Sequence, residues 1–136
     1  MSNHLIPWAV TMVTMALIDL LWLGVIARTR YEQGLGPLLA ERPRIGVAAL
    51  FYAVFAFGLM VFVVVPGDIP ASWERSLAGA ALFGFVAYAT YNLTNLATLR
   101  GWPAGLAMID LAWGTALSVV AAAAGRFAHD VSTWPT

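Results

Sequence analysis

Two aspartates stand in matching settings, Ile18-Asp19-Leu20-Leu21-Trp22 and Ile109-Asp110-Leu111-Ala112-Trp113, inside otherwise apolar runs. A carboxylate is costly to hold in such surroundings, so its presence points by default to ion, proton or substrate handling. A third polar feature, Y-A-T-Y-N-L-T-N-L-A-T, occupies residues 88–98. On a helix, Gly84, Tyr88, Tyr91, Asn92, Asn95 and Thr98 share one stripe about 120° wide, with leucine and alanine elsewhere. Asp19 and Asp110 are therefore the candidate catalytic groups, suited to acid–base work or proton exchange. Trp22, Tyr52, Tyr88, Tyr91, Asn92, Asn95 and Trp113 are the candidate ligand-binding groups, because they supply hydroxyl, amide and indole donors.

Composition says what kind of molecule carries these groups. Of 136 residues, 61% are apolar and 10% charged, with mean hydropathy +0.80, whereas soluble domains carry about 25% charged residues. A membrane protein follows, with the bilayer as its first partner. Zero net charge provides no basic face for nucleic acid. The chain has no cysteine, which removes disulfides, thiolate metal sites and a cysteine nucleophile. Every basic residue is arginine, so Schiff-base and P-loop lysine chemistry are excluded. No cofactor motif is present.

Four apolar runs, residues 5–27, 45–65, 77–99 and 104–125, each come near the roughly 20 residues that cross a bilayer. They predict an all-α fold, a four-transmembrane-helix bundle running antiparallel up-down-up-down, as a single membrane domain over 1–136. The first run does not read as a cleaved signal peptide: it lacks a basic start, Asp19 interrupts it, and no A-x-A site follows. Trp8, Thr11, Met15, Asp19, Trp22 and Ile26 share one face of it, a packing stripe with an acid at its centre. Residues 28–44 form the main polar connection, where Gly34 and Gly36 look like a helix stop and Pro37 opens a short interfacial turn. The G-L-G there lacks the preceding strand and third glycine of a dinucleotide fingerprint. A Pro-Gly turn at 66–70 precedes Trp73, placed as an interfacial anchor. Arg100-Gly101-Trp102-Pro103 is so short that the third and fourth spans must be antiparallel neighbours. Ala80 with Gly84, and Gly114 with Ser118 and Ala122, offer small-residue faces for close helix approach, and these also permit a homodimer. Residues 126–136 read as a polar tail.

Arg28, Arg30, Arg42, Arg44 and Arg100 lie at one end of the spans, against Arg75 and Arg126 at the other. The positive-inside rule puts the arginine-rich end in the cytoplasm and both termini outside. At about 1.5 Å per residue, Asp19 then lies about 12 Å from that end, Tyr52 and Asn92 about 10 Å, and Asp110 about 9 Å. One polar group from each span arrives at one depth. An inverted repeat would instead give the two aspartates equal offsets from their helix starts, which the chain lacks. With no Lys, Arg or His in any predicted span, the carboxylates have three ways to balance charge. They share a proton, bind a cation, or draw on Arg28, Arg44 or Arg100 snorkelling inward.

Weaker constellations complete the survey. His4 and His129 both fall at the outer end, where they could meet as metal or haem ligands. Ser118 has no His or Asp at helical spacing to activate it. Two acids and two amides make a thin site for a structural metal, so no metal site is expected. Thr90, Thr94 and Thr98 suit hydrogen bonds to their own backbone.

I-D-L-L-W-L-G, L-F-Y-A-V-F-A-F-G, A-Y-A-T-Y-N-L-T-N-L-A-T-L-R-G-W-P and I-D-L-A-W-G-T together resemble the small bacterial membrane proteins catalogued as domain of unknown function 2177. The resemblance spans nearly the whole chain and implies a multi-pass protein of the bacterial inner membrane, with no established activity. It implies too that the position of Asn92 often carries Asp and that of Arg100 often Lys. Asp19 and Asp110 are thus the intramembrane acids left to this chain.

Three functions fit these residues. The leading one is a cytoplasm-facing Asp/Asn/Tyr pocket that binds or moves a small or amphipathic ligand, coupled to protonation of Asp19 or Asp110. A second is a membrane-embedded enzyme that modifies a lipid or isoprenoid by aspartate acid–base chemistry, though no nucleophile or cofactor motif accompanies it. The third is an assembly or scaffold subunit, in which the polar groups only lock four helices together.

Overall fold

The computed structural model describes residues 4–134. Every regular element among them is helical: α1 (Leu5–Leu21), α2 (Arg28–Leu35), α3 (Ile45–Leu59), α4 (Trp73–Thr98) and α5 (Ala104–Ser132). Both α1 and α3 close in a wide π turn, Trp22–Ile26 and Met60–Val64. With those turns, four helices are long and apolar enough to cross a membrane: Leu5–Ile26, Ile45–Val64, Trp73–Thr98 and Ala104–Ser132. They form the antiparallel bundle, since each is joined to the next by a connection shorter than itself.

Small residues decide which helices touch. At Gly84 an added Cβ would collide with Ser118 and the Gly114 carbonyl, and at Gly114 with the Tyr88 ring. The two small faces therefore meet each other across α4 and α5, the neighbours joined by the 99–103 link. Gly125 admits Thr11 in the same way, which brings α1 onto the other side of α5. A second copy of the chain would have to use other surfaces than these faces.

The apolar core lies between them, with Met15, Leu59, Val64, Leu117, Ala121 and Ala122 nearly or fully buried. Large residues such as Leu17, Val54, Phe57, Leu82 and Val120 point outward. For helices that cross a bilayer this is the expected inversion, because lipid is as apolar as the core.

Two local features differ from expectation. Residues 126–132, read above as polar tail, continue α5, which ends at Ser132. Arg126 and Asp130 explain this: they pair at 2.9 Å across one helical turn, and Trp73 donates to the same carboxylate at 3.2 Å. Residues 28–44, read as a connection, contain the helix α2, braced by an exposed Arg28–Glu32 pair at 2.8 Å. Gly34 on α2 lies against Pro103 and Leu106 at the start of α5. That contact folds α2 back over the arginine-rich end of the bundle.

Candidate ligand site

Asp19 occupies the last full turn of α1 and is 6% exposed. Its two carboxylate oxygens accept from different helices: the Tyr52 hydroxyl of α3 donates to one at 2.7 Å, and the Trp113 indole of α5 to the other at 2.9 Å. Asp110, two turns into α5, is buried likewise. Asn92 of α4 donates to one of its oxygens at 2.7 Å, and Tyr31 of α2 to the other at 2.6 Å. Each acid thus gathers two neutral donors, one from each of two other helices.

The two halves are joined through aromatic rings. Trp22 donates to the Tyr31 hydroxyl at 3.3 Å and stacks on Trp113, with centroids 4.3 Å apart and planes 6° from parallel. No hydrogen bond joins the two carboxyl groups among the described residues. Burial, with the hydrogen bond to Asp110 adding to it, holds the Tyr31 phenol well above its usual range. Tyr31 is therefore a standing neutral donor.

Both aspartates line one cleft of about 520 Å³, together with Tyr31, Tyr52, Tyr88 and Tyr91. Its apolar wall comes from Leu23, Leu35, Leu39, Phe51, Phe55 and Ala87. Leu35 and Leu39, on and just after α2, close the arginine-rich side. Tyr88 lies against Gly114 and meets Phe55 edge-on at 6.2 Å. Among the described residues its hydroxyl has no hydrogen-bond partner, and neither has that of Tyr91.

The residues singled out by sequence divide into three groups. Asp19, Asp110, Tyr52 and Tyr88 line the cleft, while Asn92 and Trp113 stand behind it and donate to the acids, and Trp22 donates to Tyr31. Tyr91 sits at the rim, 52% exposed, with its ring edge-on to Trp102 at 5.6 Å. It shares the polar stripe with the buried Asn92 but, one residue before it, is turned about 100° away around the helix and faces outward. Asn95 is half-buried one turn further on and is not part of the cleft wall. Ser118 donates to the Gly114 carbonyl at 2.7 Å, and Thr90 and Thr98 likewise bond back along α4.

Tyr31 lines the cleft and donates to Asp110 but is absent from the candidates drawn from the sequence. Its signal was the four-residue spacing of Arg28 with Glu32 and of Tyr31 with Leu35, a short amphipathic turn inside a polar connection. The arginines, by contrast, do not reach the site. Arg28 pairs with Glu32, Arg44 and Arg100 are exposed, and among the described residues neither aspartate has an ion-pair partner.

At the opposite end, His4 and His129 do approach, with ring centroids 6.1 Å apart. His129 is buried, and its Nδ1 lies 3.6 Å from Asp130, beyond hydrogen-bonding reach. Among the described residues no group of three metal-ligating side chains assembles there or elsewhere.

Fold and geometry define a class, a four-span helical membrane protein whose buried aspartates border a cleft. The family described as "Predicted membrane protein (DUF2177)" matches residues 4–127, and the chain belongs to it. No curated protein and no solved structure matches the chain.

Proposed function

We propose that the protein binds or moves a small or amphipathic ligand in the cleft between Asp19 and Asp110, at the cytoplasmic face of the bacterial inner membrane. Proton exchange at the two acids accompanies this. The observation that carries the reading is the shared cleft: two carboxylates from opposite ends of the chain border one space with apolar walls. A network that only locked helices would need no such space. Unused phenol hydroxyls on Tyr88 and Tyr91 give a ligand further contacts, and the helix α2 forms a cover at the cytoplasmic side. Both termini lie outside in this reading, as the arginine distribution indicates.

Lipid and metabolite profiling of a deletion strain tests the reading. Altered uptake or export with unchanged lipids supports it, and failure of Asp19→Asn and Asp110→Asn to restore the parental profile ties it to the cleft. A changed lipid species restored by the parent chain would replace it with the enzyme reading.

A further inference from the structure

Charge balance in the cleft narrows the ligand. Two buried carboxylates in a membrane can each take a proton, share one, draw on an arginine or hold a cation from outside, and the shared proton and the arginine are closed here. A shared proton requires one carboxyl to donate to the other, yet all four oxygens accept from separate neutral groups and no bond links the pair. Arginine compensation requires a guanidinium within reach, yet Arg28 is held by Glu32 and Arg44 and Arg100 are exposed. Tyr, Trp and Asn donors stabilise a carboxylate without adding any positive charge. The chain itself supplies no counter-charge, so each carboxyl is balanced either by a proton of its own or by a cation from outside.

The walls then say which cation fits. Hard metal ions take six or more oxygen ligands or keep their water, and this cleft is bordered by Leu23, Leu35, Leu39, Phe51 and Phe55. Aromatic faces attract organic cations through the ring quadrupole, most strongly where water is excluded, and Tyr52, Tyr88 and Tyr91 supply such rings here. We infer that the cleft takes a lipophilic organic cation, its charge set between Asp19 and Asp110 and its apolar body against the rings of α3 and α4. The inference rests on the pocket reading above.

Equilibrium dialysis against the full chain in phosphatidylcholine nanodiscs, with empty discs subtracted, tests it with three probes of similar shape. Tetraphenylphosphonium is cationic, triphenylphosphine oxide neutral and tetraphenylborate anionic. Saturable binding is expected for the cation alone, at least tenfold weaker in Asp19→Asn and Asp110→Asn. Tyr91→Leu, at an exposed rim position outside the hydrogen-bond network, is expected to fold normally and weaken the cation several-fold. Equal saturable binding of the neutral or anionic probe would overturn the charge assignment and leave the pocket standing. Cation binding that ignores both aspartate variants would overturn it as well. No saturable binding of any probe would also refute it, with the pocket then judged by the deletion-strain profile, which depends on no probe.

Discussion

Tyr52 and Tyr31 are hydroxyl partners that can reverse a hydrogen bond, and each aspartate has one of them. Replacing Asp19 by Asn puts an amide N–H₂ opposite the Tyr52 oxygen, which can accept, while the amide oxygen still accepts from Trp113. The same exchange works at Asp110 with Tyr31 and Asn92. Both Asn variants are therefore expected to keep a detergent melting temperature close to that of the parent. Asp19→Leu strands two buried donors at about 1–3 kcal/mol each and is expected to melt clearly lower. An equal loss for Asp19→Asn and Asp19→Leu would show that charge itself holds the helices together. Tyr31 adds a pH prediction. Its raised phenol value means that the protonated form is favoured by folding, so its contribution is complete below the ordinary value of about 10 and is lost only as pH rises through the higher folded value. Difference absorbance of the phenolate between the parent and Tyr31→Phe should show no ionisation of this residue up to pH 10.

At the scale of elements, the close approach of α4 to α5 depends on glycines. Gly84→Val would drive a branched side chain into Ser118 and the Gly114 backbone, and overpacking of this kind costs about 1–3 kcal/mol. A melting temperature unchanged in Gly84→Val would contradict the packing described. Gly34→Val acts differently, because an added side chain there meets the Pro103 ring and the end of Leu106, where α2 rests on the start of α5. It should lift α2 without disturbing the bundle, and the Tyr31 phenol should then titrate closer to its ordinary value.

These elements were unequally legible in the sequence. Hydropathy over about 20 residues reports a whole span, so the four long helices could be read directly, as could the burial of Asn92 and the neighbouring of α4 and α5. The position of α2 depends on one glycine meeting the start of α5, a tertiary contact that leaves no periodic trace. Eight residues with four charges or amides around Tyr31 read as a loop for that reason. The end of α5 was missed for a related cause: Arg126 and Asp130 lower the hydropathy of a turn that they stabilise by pairing with each other.

For the molecule as a whole, orientation and cleft function stand together, because the arginine-rich end is also the end that α2 covers. Ser132→Cys lies at the last turn of α5 and should react with a membrane-impermeant thiol reagent added to the outside of spheroplasts. Labelling only from the cytoplasmic side would invert the bundle and place the cleft at the outer face. The claim that the two aspartates serve a ligand, and do not merely fasten four helices, is tested most directly by rescue of the deletion strain's uptake or export profile. Asp19→Asn and Asp110→Asn would be expressed to parental levels in the membrane. The account predicts that both accumulate as folded protein and fail to restore the profile; full restoration by either would contradict it.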